Sequence, residues 1–443
     1  MLLTIEKLIY GGDGLARLPA DASGRGKAVF VPFVLAGEKV EAAITEQKPG
    51  FARAHMEAVV EPSPHRVQPG CPYFGQCGGC HYQHTGYEHQ LEIKKEILRE
   101  SLRRTAKVEL ATEIQVHASP PWNYRNRSRL QVQTSPSFAT GYFKMASHEL
   151  MAVEQCPISS PLINRGIAAL WQSGRGGNVP QGVREVEFFA NADDTQLLVA
   201  ISTAAEGRRA SLRAWGEDLR TSMPEIAGFV VFREASSRAG HSQEKLLTLG
   251  ADHLIYQTQC EAYRVSAGSF FQTNRYLTDE LVKIVAGGQW GELALDLYAG
   301  VGLFSTALSD FHHTISVESS QTSSGDLVYN RPSNGKAVQA TTEQYLARIE
   351  KTGRIAAGED SHNVIQKPDL AVVDPPRGGL GERVARKLAT LGAPRVVYVS
   401  CDPVTLARDL VPLMAAGYRI EQVHLVDLFP QTYHLESVVH LAL

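Results

Sequence analysis

The spacing of apolar positions changes twice along this 443-residue chain. In residues 1 to about 61, short apolar runs are broken by turns. Segments 28–31 and 39–44 read as strands and Gly11-Gly12-Asp13-Gly14 as a turn cluster, so a small OB-like β-barrel is the expected closure. Pro62, Pro64 and Pro69 then mark a linker. Residues 89–104 place Leu91, Ile97, Leu98 and Leu102 at helical spacing, with Lys94, Lys95, Arg99 and Arg103 as a basic face. From 122 to about 260, β-like runs such as 183–189 and 197–201 alternate with loops, and a mixed α+β central domain is expected. From about Ser269 the pattern becomes strand–helix alternation, with strands expected at 293–297, 314–317, 370–373, 395–399, 423–428 and 438–443. That order predicts an α/β domain, a parallel, doubly wound sheet with helices on both faces. The last two runs are too close for a crossover helix and should pair as an antiparallel hairpin at the end of the sheet. The polar stretches 319–324 and 351–367 read as loops. Three domains follow: 1–61, 62–265 and 266–443.

Composition narrows the class. The hydrophobic fraction of 43% and the charged fraction of 21% are ordinary for a globular protein. No apolar run reaches membrane-spanning length, and the start carries no basic region followed by an apolar segment, so a cytoplasmic protein without membrane contact is expected. The formal charge of −3 excludes a basic nucleic-acid binder as a whole. Locally, 94–144 holds ten Lys/Arg against four Asp/Glu, either a solvated helix and strand or a phosphate-facing patch. Of six cysteines, Cys71, Cys77, Cys80 and Cys156 can form one cluster, better read as a metal or iron–sulfur centre than as disulfides. Cys260 reads as packing.

The chemistry gathers in the last third. Asp296-Leu297-Tyr298-Ala299-Gly300-Val301-Gly302 follows a strand, and Glu318 ends the next one, where a carboxylate can accept from ribose hydroxyls. Ser305 stands where a dinucleotide fingerprint wants its third glycine, which disfavours a pyrophosphate and suits S-adenosylmethionine. Asp374-Pro375-Pro376-Arg377 and Ser400-Cys401-Asp402-Pro403 end the two following strands, at the carboxyl edge where open α/β sheets keep their ligands. The last strand runs backwards, so Glu436 lies at that same edge, opposite a cysteine, as a general base would.

On these motifs, together with Cys71-x5-Cys77-Gly78-Gly79-Cys80, Tyr124-Arg125-Asn126, Glu154-Gln155-Cys156-Pro157-Ile158, Ser269-Phe270-Phe271-Gln272-x-Asn274 and 429–436, the chain resembles the S-adenosylmethionine-dependent RNA uridine-5-methyltransferases. The bacterial group with an N-terminal TRAM domain and an iron–sulfur cluster matches over nearly the whole length. The resemblance implies a class I methyltransferase Rossmann-like domain, with 1–61 as the TRAM barrel that grips RNA. It implies Gln272, Tyr298, Glu318 and Asp374 around S-adenosylmethionine, Cys401 as nucleophile and Glu436 as proton acceptor. Cys71, Cys77, Cys80 and Cys156 would hold a 4Fe-4S cluster, with zinc the rival occupant. The implied product is 5-methyluridine, in 23S ribosomal RNA by preference or in transfer RNA, made by a monomer. Leu303 stands where the ribosomal branch often has Asn, and Thr341 or Thr342 is the available candidate for an adenine contact.

Three other functions compete. A small-molecule methyltransferase would not need residues 1–61. A cluster-bearing RNA-binding redox sensor would leave Cys401 and Glu436 unexplained. A cytosine-5 enzyme would use a second cysteine beside the Asp-Pro-Pro motif, and none follows Pro376.

Overall fold

The sheet that carries the predicted chemistry has eight strands, the inner ones buried on both faces. In this computed structural model, which describes all residues except 20–25, 205–207, 238–239 and 357–363, its strand order is Gly335–Gln339, Phe311–Glu318, Gly291–Leu297, Leu370–Val373, Arg395–Ser400, Glu436–Ala442, Arg419–Val426 and Ile114–His117. Leu293, Leu295, Leu297, Val396 and Tyr398 face one core, which helices Tyr87–Ser101, Thr342–Thr352, Gly381–Leu391 and Pro403–Ala415 cover. Ala294, Leu370, Val397 and Val399 face a second core, covered by helix Thr278–Ala286 and the hairpin of His253–Gln257 with Ala262–Ser266. Near-continuous apolar strands are what burial on both faces demands.

The reversed final strand is present, but the hairpin does not end the sheet. Glu436–Ala442 inserts between Arg395–Ser400 and Arg419–Val426, antiparallel to both. Ile114–His117, from the stretch expected to be central, then adds in parallel at the outer edge. Two further readings are corrected. Residues 319–324 are not a loop: Ser320 caps helix Gln321–Asn330, its side chain accepting from the Ser323 N–H. Of 351–367, the described residues include the end of helix Thr342–Thr352 and the strand pair Ile355–Ala356 with Val364–Ile365, while 357–363 lie outside the described residues.

The N-terminal strands form one six-stranded sheet around Leu3, Ile5, Ala16, Val29, Val31, Val40 and Ala52, ending at Glu61. The central segment is a seven-stranded mixed sheet packed by helices Pro161–Arg175 and Arg209–Ser222 through Trp171 and Trp215. No helix among the described residues is long and apolar enough to cross a membrane. Cys260 is exposed and is no packing residue.

The expected basic face of the first helix is also revised. Lys94 is fully buried, and its ammonium donates to Asp427 Oδ1 at 2.6 Å and to the Phe429 carbonyl at 2.9 Å. Lys95, Arg99 and Arg104 pair with Glu113, Glu96 and Glu100. Lys144 pairs with Glu149, and Arg129 with Glu187. Much of the local positive excess is therefore neutralised within the chain instead of facing phosphate. Removing one partner of a buried ion pair strands the other charge. Lys94→Met should lower unfolding free energy by about 3–5 kcal/mol in urea titration, a loss that a surface lysine would not show.

Candidate active site

Cys401 is the residue after strand Arg395–Ser400, and the register of that strand with the last one pairs Ser400 with Ser437. Cys401 and Glu436 are the next residues outward from that pair, and the Glu436 carboxyl is near enough to act on the Cys401 thiol. The helix after Cys401 begins abruptly because Asp402 caps it, its Oδ1 accepting from the Val404 and Thr405 N–H groups, each at 2.9 Å, with Pro403 in the first turn. The motif read as chemical is thus partly a turn that fixes the thiol at the sheet edge.

Asp374 follows the neighbouring strand Leu370–Val373, and Arg377 lies on the loop beyond it. Asp409, a residue to which the sequence reading assigned no role, anchors that loop. It is fully buried, and its Oδ2 accepts from the Leu380 N–H at 2.6 Å and the Tyr398 hydroxyl at 2.8 Å. A side chain at Gly379 would meet that same oxygen at 2.3 Å, so glycine is required there. Arg377 in turn donates to His434 Nε2 at 3.4 Å, and burial followed by the Arg377 charge pushes the His434 imidazole down to about 3. His434 is therefore neutral and serves as an acceptor.

The edge gathers acids whose burial disfavours the charged form. Burial, then the nearby Glu436 and Asp374, push the Cys401 thiol up to about 12, and the Arg377 guanidinium opposes them. Burial also pushes Asp296 up to about 7, and burial with the Asp296 charge does the same to Asp374. Glu436 is raised well above the usual carboxylate range by burial and then by Asp374. Such a set of desolvated acids is the counterpart of a positively charged ligand.

The cofactor-loop residues are brought together around the same edge. Tyr298 has φ +68° and Gly300 φ +57°, and nothing lies within 4 Å of where a side chain on Gly300 would sit. Glu318 lies across the loop, its Oε2 accepting from the Gly300 N–H at 2.9 Å and its Oε1 from the Ser320 N–H at 2.5 Å. Asp296 accepts from the Ser305 hydroxyl, which explains the serine in place of a third glycine, while its Oδ1 is buried with no partner. Gln272 is buried on a segment tied down by Asp326, whose carboxylate takes the Ser266 N–H and the Ser266 and Ser269 hydroxyls. Open space at Gly300 and an orphaned acid oxygen fit S-adenosylmethionine, with its sulfonium charge and ribose hydroxyls. Leu303 packs in the second core and Thr341 is spent as a helix cap, so neither is free for the cofactor. Thr342 instead hydrogen-bonds the Tyr298 side chain.

Cys71, Cys77, Cys80 and Cys156 line one cavity with Arg125, Tyr142 and Gln83. Among the described residues no three Cys, His, Asp or Glu side chains close on a single ion.

With this geometry in hand, comparisons with known proteins agree. Residues 86–443 match the family tRNA (Uracil-5-)-methyltransferase, and residues 1–56 match the TRAM domain. An uncharacterized RNA methyltransferase of Aquifex aeolicus is 34% identical, covering 99% of this chain and 97% of its own. The 23S rRNA (uracil(1939)-C(5))-methyltransferase RlmD of Chromohalobacter salexigens is 32% identical over 99% of this chain and 88% of its own. The solved structure of the Pyrococcus abyssi tRNA (uracil-54, C5)-methyltransferase with S-adenosyl-L-homocysteine shares the fold, at TM-score 0.73, 24% identity and full coverage of both chains. The two family matches together span nearly the whole chain, and the chain belongs to the S-adenosylmethionine-dependent RNA (uracil-5-)-methyltransferase family.

Proposed function

We propose that this enzyme makes 5-methyluridine through a covalent bond between Cys401 and carbon 6 of a flipped-out uracil. The observation that carries the reading is the antiparallel register that ends at Ser400 and Ser437 and leaves Cys401 and Glu436 as the next residues outward on their two segments. Uracil carbon 5 is a poor nucleophile. Addition of the Cys401 sulfur to carbon 6 turns the ring into an enolate whose carbon 5 is electron-rich. S-adenosylmethionine, when bound, supplies the methyl group as an electrophile. Glu436 then takes the proton from carbon 5, the carbon 6–sulfur bond breaks, and the thiolate is regenerated. Gln272, Tyr298, Glu318 and Asp374 hold the cofactor in this reading. Arg377 offsets the negative charge around the sulfur, and the base must leave its stack at a cost of a few kcal/mol.

For the RNA, 23S ribosomal RNA is the favoured substrate. What supports it over transfer RNA is the near-full-length likeness to the ribosomal enzyme together with the TRAM segment and the four-cysteine set. We read the N-terminal sheet as an OB-type barrel that grips that RNA, and the enzyme as a cytoplasmic monomer. The four cysteines are read as ligands of a 4Fe-4S cluster. Their shared cavity supports this, as do the N–H groups directed at sulfur: Tyr73 and Phe74 to Cys71, Gly79 to Cys77, and the Gln83 side chain to Cys80. Arg125, whose buried Nε has no partner, lends the cavity a positive charge suited to thiolates.

Five outcomes test these assignments. Cys401→Ala should abolish both turnover and the denaturation-stable RNA adduct while S-adenosylmethionine still binds; an active variant refutes the covalent route. Glu436→Gln should trap methylated RNA on the protein, and release at the normal rate would remove its role as base. Adduct formation should rise with pH, because the thiolate fraction grows about tenfold per pH unit below the thiol pKa. Arg377→Gln, which deletes the opposing cation, should slow that step about tenfold or more in single-turnover assays. Protein purified without oxygen should be brown and bleach on reduction; a colourless protein with stoichiometric zinc would replace the cluster by zinc.

A further inference from the structure

The loop from Phe429 to Leu435 joins the last two strands and so aims Glu436. Its turn is made at Gln431, a buried residue with φ +69°, a left-handed backbone that a side chain other than glycine disfavours. Something must hold it there. The Gln431 carbonyl accepts from the His81 N–H at 2.9 Å and the Tyr82 N–H at 3.0 Å, directly after Cys80. Neighbouring carbonyls are held as well, Pro430 by the Tyr124 hydroxyl at 3.0 Å and Phe429 by Lys94. The Gln431 N–H, in contrast, donates to a side chain from the first helix, Gln90 Oε1, at 2.9 Å.

Gln90 is 1% exposed, and its amide nitrogen lies 3.0 Å from Gln431 Oε1, 3.1 Å from the Tyr82 carbonyl and 3.0 Å from the Thr85 carbonyl. One buried amide thus joins three segments: helix Tyr87–Ser101, the loop after the cysteines, and the loop that delivers Glu436. Without it, the Gln431 N–H would be buried and unpaired in a conformation the chain does not favour by itself.

We propose that Gln90 is a positioning residue for proton removal: it holds Gln431 left-handed and so keeps Glu436 opposite Cys401, without touching the reacting atoms. This rests on the covalent reading above. Cys401 sits on a different strand, under its own Asp402 cap, so loss of Gln90 should spare sulfur addition and slow release. The test uses the full-length enzyme, labelled S-adenosylmethionine and unmodified 23S ribosomal RNA transcribed in vitro. It follows formation and decay of the denaturation-stable adduct separately. Gln90→Ala should form adduct within about threefold of the parent rate and release it about thirtyfold more slowly, as expected when a buried N–H loses its acceptor. Adding Gln431→Gly, which takes a left-handed backbone freely, should bring release back to within about fivefold of the parent. If Gln90→Ala unfolds, Gln90→Met, close in volume and helix propensity, carries the same expectation. Release at the parent rate, equal losses in formation and release, or no rescue by Gln431→Gly would overturn the proposal. A parent enzyme that forms no adduct at all would overturn the covalent reading itself.

Discussion

The whole site depends on one strand running backwards. In a parallel sheet every strand ends at the same edge and starts at the other, so a residue at the start of a strand cannot meet one at the end of its neighbour. The antiparallel insertion of Glu436–Ala442 beside Arg395–Ser400 removes that restriction and brings a strand-start glutamate to the cysteine's edge. The register is held from both cores, by Val439 and Leu441 on one face and Val438 on the other, and a slip of one residue would turn each of these side chains to the opposite face.

Holding that arrangement is costly in electrostatic terms. Asp296, Asp374 and Glu436 are acids withdrawn from water, and burial, with their mutual influence, raises their pKa values and that of the Cys401 thiol. Arg377 is the cation set against them, itself turned toward a neutral His434. Behind the loop, the fully buried Lys94–Asp427 pair adds a second charged group with a structural task, because Lys94 also holds the Phe429 carbonyl. Charge that a surface reading would assign to RNA thus serves the interior of the catalytic domain. The N-terminal segment reaches this edge as well, since Tyr10, in a turn between its strands, donates to the Cys401 carbonyl at 3.2 Å and its ring meets Tyr433 edge-on.

The strands expected from apolar runs in the last third are all present, with ends shifted by a few residues, because a strand buried on both faces writes itself as a continuous apolar stretch. The two that were overlooked lacked that signature. Gly335–Gln339 is an edge strand of only intermediate to exposed residues, and Ile114–His117 finds its partner, Val423–Val426, some three hundred residues away. The serine-rich segment after Glu318 was misread because serine suits loops and helix caps alike, and here Ser320 is a cap. The cysteine and glycine-loop motifs stood out by spacing, but the anchoring role of Asp409 and the clamp at Gln90 left no local mark. Each acts on residues distant in the chain.

By itself the sequence determined most element types in the last third, the reversal of the final strand, and which sulfur, acid and glycine-loop residues were candidates, since these follow from periodicity, connection length and side-chain chemistry close along the chain. Only the tertiary structure decided that Lys94 is buried instead of basic surface, that burial raises the pKa of the Cys401 thiol, and that Gln431 is held by a side chain from another helix. Burial and desolvation arise from segments brought together across hundreds of residues, and no local pattern of apolar and polar positions records which charge will lose its water.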